Sequence, residues 1–190
     1  VHQDGADVTF SSRTVLKSIL ALFDEAGLEP VIAPELEFFL VKQSSDANAP
    51  LITPPGRSGR AEKARQAYGI DAVNEFDPLF EEIYDHCDVQ GLDIDTLSHE
   101  AGAAQMEINF NHGHALDLAD QAFLFKRTVR QAAINHHLHA TFMAKPMQEQ
   151  PGSAMHVHVS VNSKESGKNI FSNDDGRESD CLLYTSPSPR

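Results

Sequence analysis

The stretch that decides the fold is Pro34–Leu40, with the sequence PELEFFL. Side chains of a strand alternate between two faces, so Glu35 and Glu37 share one face and the apolar residues between them share the other. An ordinary half-buried strand presents Lys, Thr or Ser to water. This strand presents two carboxylates, which repel each other unless a cation lies among them.

Two further runs repeat this alternation. Gln105–Phe110 (QMEINF) places Glu107 and Asn109 on one face, opposite apolar side chains. In Ala154–Val161 (AMHVHVSV), Met and Val side chains alternate with three polar ones: His156, His158 and Ser160. We expect each run to bury its apolar face and to present its polar face.

The polar faces, with Glu100 just before the second run, form a candidate metal-binding set. Its members are Glu35, Glu37, Glu100, Glu107 and His156. Carboxylate oxygens suit Mg²⁺ or Mn²⁺, and the added imidazole favours Mn²⁺ slightly. Four carboxylates exceed the needs of one Mg²⁺ that keeps its waters, which favours two ions, as in phosphoryl transfer or hydrolysis. A solvated sheet face is the alternative.

Composition excludes several classes of function. The chain has 190 residues and a net charge of −13, which argues against nucleic-acid binding. It has no apolar run long enough for a membrane span. Two cysteines without a CxxC motif favour a reducing, cytoplasmic location. No P-loop, GxGxxG or GxSxG motif occurs. The first residue is Val1, and we interpret the chain as a fragment.

Hydrophobic periodicity predicts an α+β fold, with a mostly antiparallel sheet, flanking helices and the site on the open sheet face. A long loop is expected over Lys42–Tyr68. Residues 173–190 have no periodicity and are expected to be disordered, which leaves one domain over residues 1–172. The predicted helices are Ser12–Ala26, Asp77–Gln90 and Leu116–His137; the predicted strands are Val31–Val41, Leu92–Ser98, Gln105–Phe110, His139–Lys145 and Ala154–Val161.

Four dispersed motifs, PELEFFL, HEAGAAQMEINF, ATFMAKPM and GSAMHVHVSV, resemble in this order the catalytic domain of the glutamine synthetase family. The resemblance runs from about Asp7 to Phe171. Residues 56–113 are most similar to the bacterial gamma-glutamylputrescine (polyamine) synthetases. The seven-residue step from Glu100 to Glu107 fits that branch better than the eight-residue step of bacterial glutamine synthetases proper.

The resemblance implies an ATP-dependent ligase. ATP would phosphorylate the side-chain carboxylate of glutamate, and an amine would displace phosphate from the gamma-glutamyl phosphate. The amine would be putrescine or another polyamine, with ammonia as the alternative and a non-catalytic relative as a third possibility. The resemblance also implies Mg²⁺ or Mn²⁺ at two or more sites.

The motifs also imply roles for single residues. Glu37, Glu100 and Glu107 resemble the ligands of one metal ion, and Glu35 and His156 resemble two ligands of the other. The remaining assignments are His158, Ser160 and, more weakly, Asp95 for the nucleotide, and Gly152 for glutamate.

Departures from the family pattern limit these implications. Ala101 and Ala103–Ala104 stand at positions where glycine or proline is common, and Pro151 stands where many members have Asn. Nothing after Phe171 resembles the arginines and the further glutamate that complete the family's site. The N-terminal domain that closes a neighbouring site in the ring-shaped homo-oligomer is also missing. We therefore expect this chain alone to be inactive, and residues 173–190 to be non-native.

Overall fold

The computed structural model describes residues 4–46, 48–63 and 66–185, with side chains described as far as residue 182. The helices are α1 (Ser12–Glu25), α2 (Ile70–Asn74), α3 (Asp77–Gln90), α4 (Ala115–Asn135) and α5 (Asp180–Thr185). The strands are β1 (Leu28–Lys42), β2 (Ile94–His99), β3 (Gln105–Phe110), β4 (Gly113–His114), β5 (Leu138–Thr141) and β6 (Met155–Ser163).

The chain divides into two compact units. The first consists of Val1–Ala33, His112–Ala119 and His158–Arg190, and the second of Pro34–Asn111 and Asp120–Val157. Strands β1 and β6 and helix α4 contribute residues to both units. The candidate carboxylates all belong to the second unit.

In the second unit, β1 lies between two antiparallel neighbours. Phe39 has a partner on each side, Gln105 in β3 and Thr141 in β5. Strand β2 continues the sheet beyond β3, again antiparallel. The α+β class with a mostly antiparallel sheet and flanking helices is therefore confirmed.

Helices α3 and α4 supply the apolar layer of the second unit. The ring of Phe110 in β3 meets the ring of Phe125 in α4 edge to face, with centroids 5.2 Å apart. Gln90 at the end of α3 donates a hydrogen bond to Thr128 of α4. Buried residues of this layer include Leu36, Phe38, Leu79, Phe80, Ile83, Met106, Ile108, Phe110, Phe125 and Val129. Because these strand residues alternate with the glutamates, the acidic side chains point to the opposite face of the sheet.

The first unit contains α1, β4, α5 and the adjoining parts of β1 and β6. Val31 of β1 pairs with His114 of β4. Lys164, after β6, donates its backbone N–H to Gly27 O and forms an ion pair with Asp24 at the end of α1. Helix α1 has no fully buried residue. No helix in the described part of the chain combines the length and the apolar character needed to cross a bilayer.

Local signals predicted most element boundaries well. Helix α3 has the predicted bounds and ends at Gly91, whose φ is 66°. Helix α1 begins as predicted, and its capping oxygen comes from Ser11, which accepts from Thr14 N. Helix α4 ends two residues before the predicted end, where His137 takes a left-handed φ of 58°.

The predicted burial of the apolar face of the Ala154–Val161 run is wrong for most of its length. Met155 is 46% exposed, Val157 46% and Val159 52%, and only Val161 is buried. The physical reason is that alternation defines two faces but does not supply an element to cover either of them. By contrast, both faces of β1 are buried near its end, where Phe39 and Val41 are inaccessible.

Residues 173–185, part of the predicted tail, have local structure. Ser172 pairs with Glu178 in an isolated bridge, and α5 follows. Ser179 is buried; its N–H donates to Phe171 O and its hydroxyl to Ile170 O. Residues 186–190 lie outside the described residues. The non-native origin of residues 173–190 stays a prediction.

Candidate metal centre

Strand register places the candidate acidic residues side by side. Glu37 of β1 is the direct partner of Glu107 of β3, and Glu35 is the partner of Asn109. Residues directly opposite each other in an antiparallel pair point to the same face, and so do residues two apart in one strand. Three carboxylates and one amide therefore form a compact block. Like charges directly opposite each other destabilise a sheet, so this block requires compensation.

The surroundings of Glu107 disfavour its ionised form. Burial, followed by the charges of Glu100, Glu35 and Glu37, raises the pKa of this carboxyl from 4.5 to about 7. Among these charges the contribution of Glu100 is the largest. A cation among these oxygens would reverse the balance, because opposite charge favours the ionised form.

His156 joins the block from β6. Its Nδ1 lies 3.2 Å from Glu35 Oε2, and its side chain is 63% exposed. Glu35, Glu107 and His156 each offer one ligand atom, and these three atoms all lie within 4.8 Å of one another. Two carboxylates and one imidazole are a donor set suited to a divalent cation such as Mn²⁺ or Mg²⁺.

An unpaired atom supports the fit. Asn109 Oδ1 is buried and has no hydrogen-bond partner among the described residues. Buried polar oxygens are almost always paired with protein, water or an ion. Because Asn109 lies on the same sheet face as Glu35 and Glu107, a cation or its bound water would supply the missing partner. The residues present therefore fit the group that their chemistry implies.

Gln105 connects Glu37 to the neighbouring loop, and the sequence reasoning missed it. Its Nε2 donates to Glu37 Oε2 at 2.9 Å and to Gly152 O at 2.9 Å, while its Oε1 accepts from Gly102 N at 2.9 Å. Gln105 is 1% exposed. The alternation in QMEINF places Gln105 on the Glu107 face, and this signal could have identified it.

The loop that carries Glu100 is tightly built. Glu100 N donates to Gln105 O at 2.8 Å, which closes the loop between β2 and β3. Ala104 is buried with a left-handed φ of 55°, which costs about 1–2 kcal/mol for a residue with a Cβ. A Cβ at Gly102 would lie 2.7 Å from the ring of Phe39.

The other predicted residues occupy different settings. Gly152 leaves room for Ala144 O, which a Cβ would approach to 2.8 Å. Asp95 is exposed on β2, and its carboxylate accepts from Thr96 Oγ1. His158 and Ser160 lie in the first unit, on the part of β6 that follows His156. The structure thus brings together Glu35, Glu107 and His156 and holds Glu37 and Glu100 beside them, while the roles of Gly152, Asp95, His158 and Ser160 stay predictions.

Comparison with known proteins identifies the family. The family profile described as "Glutamine synthetase, catalytic domain" matches residues 9–185. The chain belongs to the glutamine synthetase family. The match extends past Phe171, where the recognisable motifs end.

Individual members of the glutamine synthetase family are similar over almost the whole chain. The gamma-glutamylputrescine synthetase PuuA of Escherichia coli (strain K12) is 37% identical over 185 residues, which cover 96% of this chain and 39% of the relative. The glutamine synthetase of Halobacterium salinarum is 36% identical over 175 residues, covering 92% of this chain and 37% of the relative. The chain therefore spans less than half the length of these relatives.

Solved structures agree with the fold. The structure titled "Apo GmaS without ligand" aligns with a TM-score of 0.74 at 28% identity, covering 90% of this chain and 38% of that chain. The cryo-EM structure of Plasmodium falciparum glutamine synthetase aligns with a TM-score of 0.73 at 21% identity, covering 92% of this chain and 38% of that one. The second likeness concerns the fold alone.

Proposed function

We propose that this chain supplies the metal-binding part of an ATP-dependent ligase that joins the side-chain carboxylate of glutamate to an amine. The observation that carries the proposal is the carboxylate block with His156, which places Glu35, Glu37, Glu107 and one imidazole together, with Glu100 in the adjoining loop. Such a set would hold divalent cations that neutralise the phosphate charges of ATP. Family membership supports the same chemistry.

The chemistry has two steps. An oxygen of the glutamate side chain attacks the γ-phosphorus of ATP, and ADP leaves. The amine nitrogen then attacks the acyl carbon of the gamma-glutamyl phosphate, the C–O bond to phosphate breaks, and the amine loses a proton. Activation is needed because a free carboxylate is a poor acylating agent.

Each candidate site residue has a proposed part in these two steps. Glu37, Glu100 and Glu107 would hold one cation and Glu35 with His156 the other. Gln105 donates to both Glu37 and Gly152 O. These two hydrogen bonds would hold the loop around Gly152, which we assign to glutamate, at a fixed distance from the cation that Glu37 binds. On the nucleotide side we assign His158, Ser160 and Asp95, and on the glutamate side Gly152.

We propose putrescine or a similar polyamine as the acceptor. The identity with PuuA of Escherichia coli and the seven-residue step from Glu100 to Glu107 support this choice. Ammonia is the second candidate, because a glutamine synthetase from Halobacterium salinarum is almost as similar.

The test measures ADP release by the whole protein that carries this chain, with glutamate and ATP, against putrescine and against ammonia. Faster turnover with putrescine supports the proposal, and turnover with ammonia alone replaces it by the second candidate. Omission of glutamate is the control, because ADP released without it reports ATP hydrolysis. If neither amine supports ADP release, the ligase proposal is wrong. For the 190-residue chain alone we expect no glutamyl transfer.

The setting of the whole protein is part of the proposal. We propose a ring-shaped homo-oligomer in the cytoplasm with no nucleic-acid partner. The net charge of −13 and the two free cysteines, Cys87 and Cys181, support the location and the absence of nucleic acid. Light scattering of the whole protein tests the ring, since a monomer at working concentration contradicts it.

A further inference from the structure

The long loop after β1 places one carboxylate in the interior. Residues 48–63 form no helix or strand beyond an isolated bridge between Pro55 and Ala61. Glu62 in this loop nevertheless has a side chain that is only 7% exposed. A buried carboxylate is costly unless it is paired, so its contacts indicate why it is there.

Glu62 contacts both ends of the loop that carries Glu100. Its Oε2 accepts from Ala104 N at 2.6 Å and lies 3.0 Å from Nε2 of His99. The fully buried His99 ring directs its Nδ1 at the carbonyl oxygen of Glu100, 2.7 Å away. One carboxylate oxygen therefore holds the residue before Glu100 and the residue that closes the loop.

The backbone of the Glu100–Ala104 loop is strained and requires hydrogen bonds that restrain it. Ala104 is strained by its left-handed φ of 55° and persists only where its surroundings fix it. Its N–H is bound by Glu62 and its carbonyl accepts from Leu40 N at 2.9 Å. Charge-assisted hydrogen bonds to carboxylates are stronger than neutral ones, so Glu62 is the stronger of these two restraints.

We propose that Glu62 is a positioning residue for the metal centre: it fixes the Glu100–Ala104 loop so that the Glu100 carboxylate faces Glu107. The inference rests on the proposed function, because it concerns the same cation site. It adds a residue 38 positions before Glu100 in the sequence, from a loop that lies outside the four motifs PELEFFL, HEAGAAQMEINF, ATFMAKPM and GSAMHVHVSV. Partners of this kind typically change metal affinity 10–100-fold when they are removed.

The experiment compares Glu62→Ala with a matched control, Glu75→Ala. Glu75 accepts from Ser58 N at 2.9 Å and thus anchors the same long loop, but it contacts no residue of the metal centre that the structure describes. Each 190-residue variant is checked for folding by circular dichroism. Free Mn²⁺ is then titrated by electron paramagnetic resonance, and exchange of the Ala104 amide is followed by NMR.

For Glu62→Ala we expect Mn²⁺ affinity to fall 10–100-fold and the Ala104 amide to exchange faster, with both quantities near wild type in Glu75→Ala. Unchanged Mn²⁺ affinity in a folded Glu62→Ala variant overturns the inference, and so does an equal loss in Glu75→Ala. If Glu62→Ala does not fold, Glu62→Gln keeps an acceptor oxygen but loses the charge that strengthens a hydrogen bond, and we expect roughly threefold weaker binding. Wild-type affinity in Glu62→Gln overturns the inference. Wild-type chain that binds no Mn²⁺ overturns the inference, whereas the proposed function stands or falls separately on amine-dependent ADP release by the whole protein.

Discussion

Replacement of Glu107 by glutamine removes one charge from the carboxylate block while keeping the size of the side chain. In the folded protein, burial and then the charges of Glu100, Glu35 and Glu37 raise the pKa of Glu107 from 4.5 to about 7. The folded state therefore binds this proton more tightly than the unfolded state does. Between pH 4.5 and about 7 the unfolded state loses the proton first, so stability falls as the pH rises and the loss is complete above pH 7.

The size of this loss follows from the pKa change. At 1.36 kcal/mol per pH unit, a rise from 4.5 to about 7 corresponds to about 3 kcal/mol at most. Water reaches this partly buried carboxyl and screens it, which leaves roughly 1–2 kcal/mol. In the absence of metal at pH 8, Glu107→Gln should therefore be more stable than wild type by roughly 1–2 kcal/mol, because glutamine never acquires the repelled charge.

Urea unfolding in EDTA at pH 8 and at pH 4 measures this difference. At pH 4 the Glu107 carboxyl is mostly protonated in both states, so most of the advantage of the variant should disappear. Glu81→Gln, on an exposed face of α3, is the control and should change the free energy of unfolding by less than about 0.5 kcal/mol at either pH.

Added Mn²⁺ should invert the order of stability. A ligand that binds only the folded state at 100 times its Kd adds about 2.7 kcal/mol, and the variant lacks one of its ligands. The reasoning is refuted if Glu107→Gln is no more stable than wild type at pH 8 in EDTA, or if its advantage is the same at pH 4.

Three further predictions concern neighbouring positions. Gln105→Met should reduce the free energy of unfolding by roughly 3 kcal/mol, because Gly102 N and Gly152 O lose a buried partner. A loss below about 1 kcal/mol in urea unfolding would show that these hydrogen bonds of Gln105 contribute little. Gly102→Ala should be destabilised by about 1–3 kcal/mol, because the added Cβ meets the buried ring of Phe39 at 2.7 Å, and a wild-type melting temperature would show that the loop can move aside. Burial raises the pKa of the Cys87 thiol to about 11, so Ellman's reagent at pH 8 should modify Cys87 only after unfolding; modification of Cys87 in the native protein, read by mass spectrometry against Cys87→Ala, would contradict its burial.

The acidic face of the sheet could be predicted from sequence because strand alternation is local. Alternation within PELEFFL and within QMEINF indicates which side chains share a face of each strand, and the register then places Glu37 beside Glu107. The register itself could not be predicted in this way. It depends on pairing between segments about 70 residues apart, and the family motifs supplied what periodicity lacked.

The supports of the site escaped prediction for a physical reason. Gln105 and Glu62 act through hydrogen bonds to residues 68 and 42 positions away in the sequence. Strand alternation puts Gln105 on the Glu107 face, but no local pattern specifies the distant partner of either residue. Glu62 also lies in a polar, glycine-containing loop, whose composition favours flexibility over burial. The left-handed Ala104 was likewise invisible, since alanine gives no signal for a positive φ.

The open apolar side of β6 has a consequence for how this chain behaves when it is made by itself. Met155, Val157 and Val159 alternate along an extended, β-branched segment with about half of each side chain exposed. Segments of this kind pair with identical segments of other molecules and seed aggregation. The net charge of −13 opposes such encounters at low salt, and salt screens it. Yield and solubility of the isolated chain should therefore depend on ionic strength and concentration as much as on its folding stability.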